Sequence, residues 1–196
     1  MAMGKTRIEA FSDGVIAILI TIMVLELKTP QGSNLSALLA FLPTFEGYVL
    51  SFVFLGIYWN NHHHLFHAVQ RVSGGALWAN LHLLFWLSLV PFVTSWMSAS
   101  GYAQSPVAAY GVVLLMSGAA YYLLSRLLIH HDGKGSPIAS ALGSDVKGLA
   151  SLGLYIVAIP LAYVDARLSR GLYVLVALIW LVPDRRIEKT LAHKEI

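Results

Sequence analysis

The sequence predicts an all-α integral membrane protein: one domain of six transmembrane helices with both termini cytoplasmic. Three observations carry that reading. Of the 196 residues, 57% are apolar and only 12% charged, far below the roughly 25% charged content of a soluble domain. The apolar residues fall into runs that meet the span of about 20 residues a bilayer requires. Lys and Arg then sort between the loops. Lys5, Arg7, Arg71, Arg126, Lys134, Lys147, Arg185, Arg186, Lys189 and Lys194 fall on one side, and Lys28, Arg167 and Arg170 on the other. Cytoplasmic loops carry the excess of such residues, so the chain reads as a multi-pass protein of the cell (inner) membrane.

Taken in order, the spans are expected at approximately 6–27, 36–66, 73–98, 106–130, 146–164 and 168–183. They form one six-helix transmembrane domain over 1–183, followed by a short charged cytoplasmic tail over 184–196. The breaks have turn chemistry. Thr29-Pro30-Gln31-Gly32-Ser33-Asn34 ends in a residue suited to cap a helix, and Val72-Ser73-Gly74-Gly75 and Ser100-Gly101 interrupt the apolar pattern. Asp132-Gly133-Lys134-Gly135-Ser136-Pro137 is the plainest loop, and Asp165 to Arg170 is short enough for an antiparallel hairpin. The first span follows Lys5 and Arg7, is too long for the apolar core of a signal peptide, and carries an internal acid, so it reads as retained.

Composition also excludes. The formal charge of +3 arises from Lys and Arg in short loops, which speaks to membrane orientation rather than nucleic acid. With no Cys, disulfides, thiolate nucleophiles and Cys-type metal sites are absent. No HExxH, GxSxG, P-loop or helical DxxxD pair is present, so the chain is read as no enzyme, with no cofactor. Asp145, Asp165 and Asp184 lie at expected helix ends and read as caps.

The first helix carries the informative residues. Arg7, Ser12 and Asp13 open a long apolar run, and a charge there requires a partner or water. At 100° per residue, Ile18, Thr21, Ile22 and Leu25 share one face about a third of the circumference wide, and Asp13 lies about 140° from Ile18. The stripe fits a pore wall if several copies surround an axis, although an apolar stripe in a membrane helix more often serves ordinary packing or lipid contact. For Asp13, depth supplies partners. The second helix ends near the cytoplasmic interface in Trp59-Asn60-Asn61-His62-His63-His64-Leu65-Phe66-His67, and the third begins there with Trp78, Asn80 and His82. A polar cluster joining helices one to three is expected, against the alternative of separate interfacial groups with Trp59 and Trp78 as belt aromatics. His63 and His67 stand at i and i+4, but without a nearby acid or thiol they are weak zinc ligands, and no metal site is expected. The histidines admit a second role in sensing cytoplasmic pH. Pro91 and Pro160 mark kinks, and Gly111, Ser117, Gly118, Ala119, Gly148, Ser151 and Gly153 are read as close-packing scaffold.

The run Arg7 to Asp13, in the form RxxxFSD at the head of the first of six helices, resembles the signature of the transmembrane protein 175 family of potassium channels in its prokaryotic single-repeat form. Trp59, Asn61 and His62, then Asn80 and Pro91-Phe92-Val93-Thr94, extend the resemblance. It implies a homotetramer in the lipid bilayer in which the first helix of each subunit lines a central pore. The chain has no TVGYG segment, so a filter of stacked carbonyls is unavailable. The resemblance instead places the constriction at Ile18, Thr21, Ile22 and Leu25, and ties Arg7, Ser12, Asp13, Trp59, Asn61, His62 and Asn80 into a structural polar network. A direct Arg7 to Asp13 pair is not expected, because they lie about 120° apart on an ideal helix. The function implied is passive, potassium-preferring cation conduction, with other monovalent cations admitted and no nucleic acid or small-molecule substrate beyond ions. Two rivals are a proton-coupled secondary transporter using Asp13 and the nearby histidines, and a His-metal membrane enzyme.

Overall fold

A computed structural model describes residues 5–30, 32–69, 72–133 and 145–181. Arg71, Lys134, Asp184, Arg185, Arg186, Lys189 and Lys194, together with the whole tail over 184–196, lie outside the described residues. Among the described residues seven α-helices follow one another: α1 Lys5–Leu25, α2 Leu35–Ala68, α3 Gly74–Ser88, α4 Val90–Ala99, α5 Gln104–Asp132, α6 Val146–Leu161 and α7 Ala166–Leu181.

The third expected span is therefore two helices, α3 and α4, separated at Leu89. Pro91 has no amide hydrogen to continue the helical ladder and disfavours helical backbone in the residue before it, and here it sits in the first turn of α4, where a free N–H has no partner anyway. The amide of Val93 then restarts the ladder on the carbonyl of Leu89 at 3.0 Å.

Local chemistry closes each helix start that the sequence marks. Asn34 caps α2 by accepting from the Ala37 amide at 3.0 Å, and Ser73 caps α3 by accepting from Ala76 at 3.2 Å. Asp145 accepts from Gly148 at the head of α6, and Asp165 accepts from Arg167 at the head of α7. After α4 the chain reverses through Gly101 and Tyr102, both with φ of 62°.

Among the described residues four stretches are long and apolar enough to cross a membrane: α1, α2, α3 with α4, and α5. The last two helices are 16 residues each, about 24 Å long, and form a hairpin closed by the turn after Leu161. Contacts define the two ends of the bundle. At one, Lys5 Nζ donates to the carbonyl of His67, joining the start of α1 to the end of α2. At the other, Arg170 of α7 pairs with Glu46 of α2, and Gln104 at the start of α5 donates to the carbonyl of Tyr163 in the hairpin turn.

Inside a bilayer, helices associate through van der Waals contact and buried hydrogen bonds, because lipid tails are as apolar as Leu. Both are concentrated on α5, which packs on α3, α4, α6 and α7. Gly111 lets the ring of Tyr173 lie against the α5 backbone, and the Tyr173 hydroxyl donates to the carbonyl of Val107 at 3.1 Å. A Cβ at Gly111 would stand 2.1 Å from that hydroxyl. Gly118 admits Leu152 and Tyr58, whereas a Cβ at Gly153 would meet nothing within 4 Å, so Gly153 takes no part in close packing. Ser51 of α2 lies 2.7 Å from the Thr94 hydroxyl of α4 and 2.9 Å from the Tyr110 hydroxyl of α5, a buried junction of three helices.

Candidate functional site

Helix α1 carries two faces with different neighbours. Ile8, Ser12, Ile16, Leu19 and Met23 are buried. On the angular scale with Ile18 at zero, these five centre on about 120°. Ile18, Thr21, Ile22 and Leu25 centre on about −10°, and all four are exposed, with Ile18 at 58%, Ile22 at 39% and Leu25 at 81%. The stripe is thus turned away from the subunit's own core. From Ile18 to Leu25 it runs about 10 Å along the helix.

The hydroxyl of Thr21 donates to the carbonyl of Ile18 at 2.8 Å. With its hydrogen committed to the backbone, the hydroxyl oxygen presents its remaining lone pairs outward. The stripe therefore offers one acceptor oxygen among aliphatic side chains.

Two separate hydrogen-bonded ties hold the other side of α1. The first is buried: Asn80 Nδ2 of α3 donates to Ser12 Oγ at 2.9 Å, and Asn80 Oδ1 lies 2.8 Å from His62 Nε2 of α2. Since the Asn80 amide nitrogen is committed to Ser12, its oxygen must accept, and His62 carries its proton on Nε2. The remaining ring nitrogen, Nδ1, is buried without a hydrogen-bond partner, a defect that costs roughly 1–3 kcal/mol. Stacking of the His62 ring on Phe66, with centroids 4.5 Å apart, fixes the imidazole. The second tie is at the rim of the bundle, where Trp59 Nε1 donates to Asp13 Oδ1 at 3.0 Å.

Of the seven residues expected in a polar network, five are brought together in these ties: Ser12, Asp13, Trp59, His62 and Asn80. Asn61 and Arg7 are not. Asn61 Nδ2 donates back to the carbonyl of Ile57, and the Asn61 carbonyl accepts from the Tyr121 hydroxyl. Asn61 directly precedes His62 and lies about 100° from it on the helix, on the side of α2 that meets Tyr121 of α5. Arg7 is exposed and forms no ion pair among the described residues. Trp78 is also exposed, and His82 accepts from Trp86 on its own helix. His63 and His67 stack along an exposed face of α2 with Trp59, at centroid separations of 6.3 and 6.1 Å.

Sequence reasoning missed the Ser51–Thr94–Tyr110 junction and the Lys5 bond to His67. Ser51 and Tyr110 are ordinary residues in long apolar runs, and nothing in their spacing pairs them across helices.

This arrangement defines a multi-pass helical membrane protein whose first helix is pinned on one side and unpartnered on the other. Residues 7–91 match the family model described as the endosomal/lysosomal potassium channel TMEM175. The chain is 53% identical over 189 residues to a potassium channel of Chryseobacterium sp. (strain P1-3), covering 96% of this chain and 98% of that one. It is 33% identical to a potassium channel of Streptomyces collinus, covering 88% of this chain and 89% of that one. Its fold is similar to the crystal structure of a lysosomal potassium-selective channel TMEM175 homologue from Chamaesiphon minutus, with TM-score 0.77, 30% identity, and coverage of 91% and 96% of the two chains. The chain belongs to the TMEM175 family.

Proposed function

We infer that this protein is a potassium-preferring cation channel of the cell membrane, conducting passively through a central pore lined by α1. The single observation that carries the reading is the exposed stripe Ile18, Thr21, Ile22 and Leu25 on the face of α1 opposite its buried side. The relatives named as potassium channels over nearly the whole chain support the same reading. No covalent step is involved, and no enzymatic group is required.

One chain does not enclose a pore; the family resemblance implies an assembly in which four copies turn their α1 stripes to a common axis, and the exposed stripe is compatible with it. A ring of Ile18 side chains closes such a pore by expelling water, and it opens when the helices tilt or rotate, since an apolar constriction is itself a gate. Thr21 supplies acceptor oxygens within the apolar stretch. The two ties from Ser12 and Asp13 to α2 and α3 set the rotation of α1 about its own axis and so decide which residues face the centre. A proton relay through Asp13 is less favoured, because His62 is bonded to Asn80 and not to Asp13.

Purified protein reconstituted in liposomes tests this. Ile18→Asn places a polar ring at the constriction and is expected to raise basal potassium flux. Unchanged flux in correctly assembled Ile18→Asn protein would overturn the pore assignment. Native mass spectrometry of the same preparation is expected to give the mass of four chains.

A further inference from the structure

A groove of about 680 Å³ lies between α2 and α7 at the end of the bundle away from Lys5. Its mouth and its body differ in chemistry. At the mouth stand Arg167, Arg170, Glu46 and Tyr102, and the body is lined by aliphatic side chains such as Val53, Val174 and Leu178. From Arg167 to Leu181 the α7 wall runs about 21 Å, enough to cover one leaflet of a hydrocarbon core about 30 Å thick.

We propose that this groove binds an anionic glycerophospholipid of the leaflet opposite the N-terminus, with one acyl chain along the body and the phosphate against Arg167 and Arg170. Three features select that occupant. The Arg170 guanidinium is fixed at the mouth, 3.3 Å from Glu46 Oε2 and 3.6 Å from the centroid of the Tyr102 ring, which leaves most of its five donors for another ligand. The side chain of Arg167 is exposed and has no partner among the described residues, while the Asp165 carboxylate is engaged with the Arg167 backbone amide. Two guanidiniums against Glu46 leave one net positive charge on the lining.

The third feature is Gly171, which follows Arg170 in the chain, lines the same groove, and has a Cβ position empty to 4 Å. A missing side chain at that point widens the body where a chain leaves its headgroup. Helix α7 packs on α2, α5 and α6, whereas α1 packs on α2, α3 and α4. The groove is therefore built by a different set of helices from the exposed stripe, and its occupancy does not depend on the channel reading.

The test titrates the full chain in detergent with dioleoyl phosphatidylglycerol or dioleoyl phosphatidylcholine and counts bound lipid by native mass spectrometry. Phosphatidylglycerol is expected to bind about fivefold more tightly, the factor that one basic residue supplies at a charged lipid surface. Arg167→Gln, a change at an exposed side chain, is expected to abolish the preference. Gly171→Leu fills the groove and is expected to lower binding of both lipids, with unfolding temperature and assembly mass unchanged. Equal affinity for the two lipids in the unmodified protein overturns the proposal, as does undiminished phosphatidylglycerol binding by Gly171→Leu. A changed assembly mass in Gly171→Leu also overturns it, by giving the groove to a second copy of the chain.

Discussion

The indole N–H of Trp59, on α2, donates to the carboxylate of Asp13, on α1, at 3.0 Å. The bond crosses between helices one turn from the buried chain Ser12–Asn80–His62, so two consecutive residues of α1 are held by two different neighbours. Such a pair of ties restrains rotation of the helix about its axis, which a single tie does not.

Trp59→Phe keeps an aromatic ring and removes only the donor. Because the bond lies at the exposed rim, its loss is expected to cost about 1 kcal/mol. Thermal unfolding in detergent measures the effect. An unfolding temperature identical to that of the unmodified protein would show that the bond contributes nothing to holding α1.

Asn80→Ala strips partners from two buried groups at once, Ser12 Oγ and His62 Nε2. The expected loss is about 2–4 kcal/mol, from one to two unsatisfied buried groups. A double-mutant cycle with Ser12→Ala is expected to show coupling, since removing Ser12 as well deletes one of the stranded groups. Strict additivity in that cycle would contradict the observed bond.

Thr21→Val conserves shape and deletes the hydroxyl of the proposed pore stripe. Thr21 is exposed within the subunit, so stability should change by no more than about 0.5 kcal/mol. Single-channel recording under bi-ionic potassium and sodium is expected to show lower conductance and an altered permeability ratio. Identical currents would remove Thr21 from the ion path.

Gly111→Ala forces a Cβ to within 2.1 Å of the Tyr173 hydroxyl and 2.8 Å of its Cζ. Overpacking of this kind costs about 1–3 kcal/mol. Gly153→Ala, at a position with open space, serves as the control and is expected to be neutral or mildly stabilising. Equal unfolding temperatures for the two variants would argue against the close α5 to α7 contact.

Much of this site was legible in the linear chain because membranes impose a strong depth rule. Ser12 and Asp13 enter the bilayer at the level where α2 ends in Trp59 and His62 and α3 begins with Asn80, and polar groups at one depth must find one another or water. That rule is blind to angle. It grouped Asn61 with the cluster, although Asn61 faces α5 and bonds to Ile57 and Tyr121. It also left Ser51 and Tyr110 unremarked and gave Thr94 no partner on another helix, since a lone hydroxyl in a span can always bond to its own helix, as Thr94 also does to Val90. The break at Leu89 was readable as a kink near Pro91, but not as two separate helices.

By itself the sequence determined the class of protein, the apolar runs that become helices, the caps at Asn34, Asp145 and Asp165, and the composition of the α1 stripe. Each of these depends on local or one-dimensional properties: apolar run length, the loss of an amide at proline, side chains that cap free N–H groups, and a period of 3.6 residues. Only the tertiary structure decided which face of α1 is buried, that Asp13 bonds to Trp59 while Ser12 bonds to Asn80, and that His62 keeps one ring nitrogen unpartnered. Those outcomes depend on the rotation of each helix relative to its neighbours, and that rotation is set by how whole surfaces fit together, with small residues such as Gly111 admitting a ring where larger ones would not.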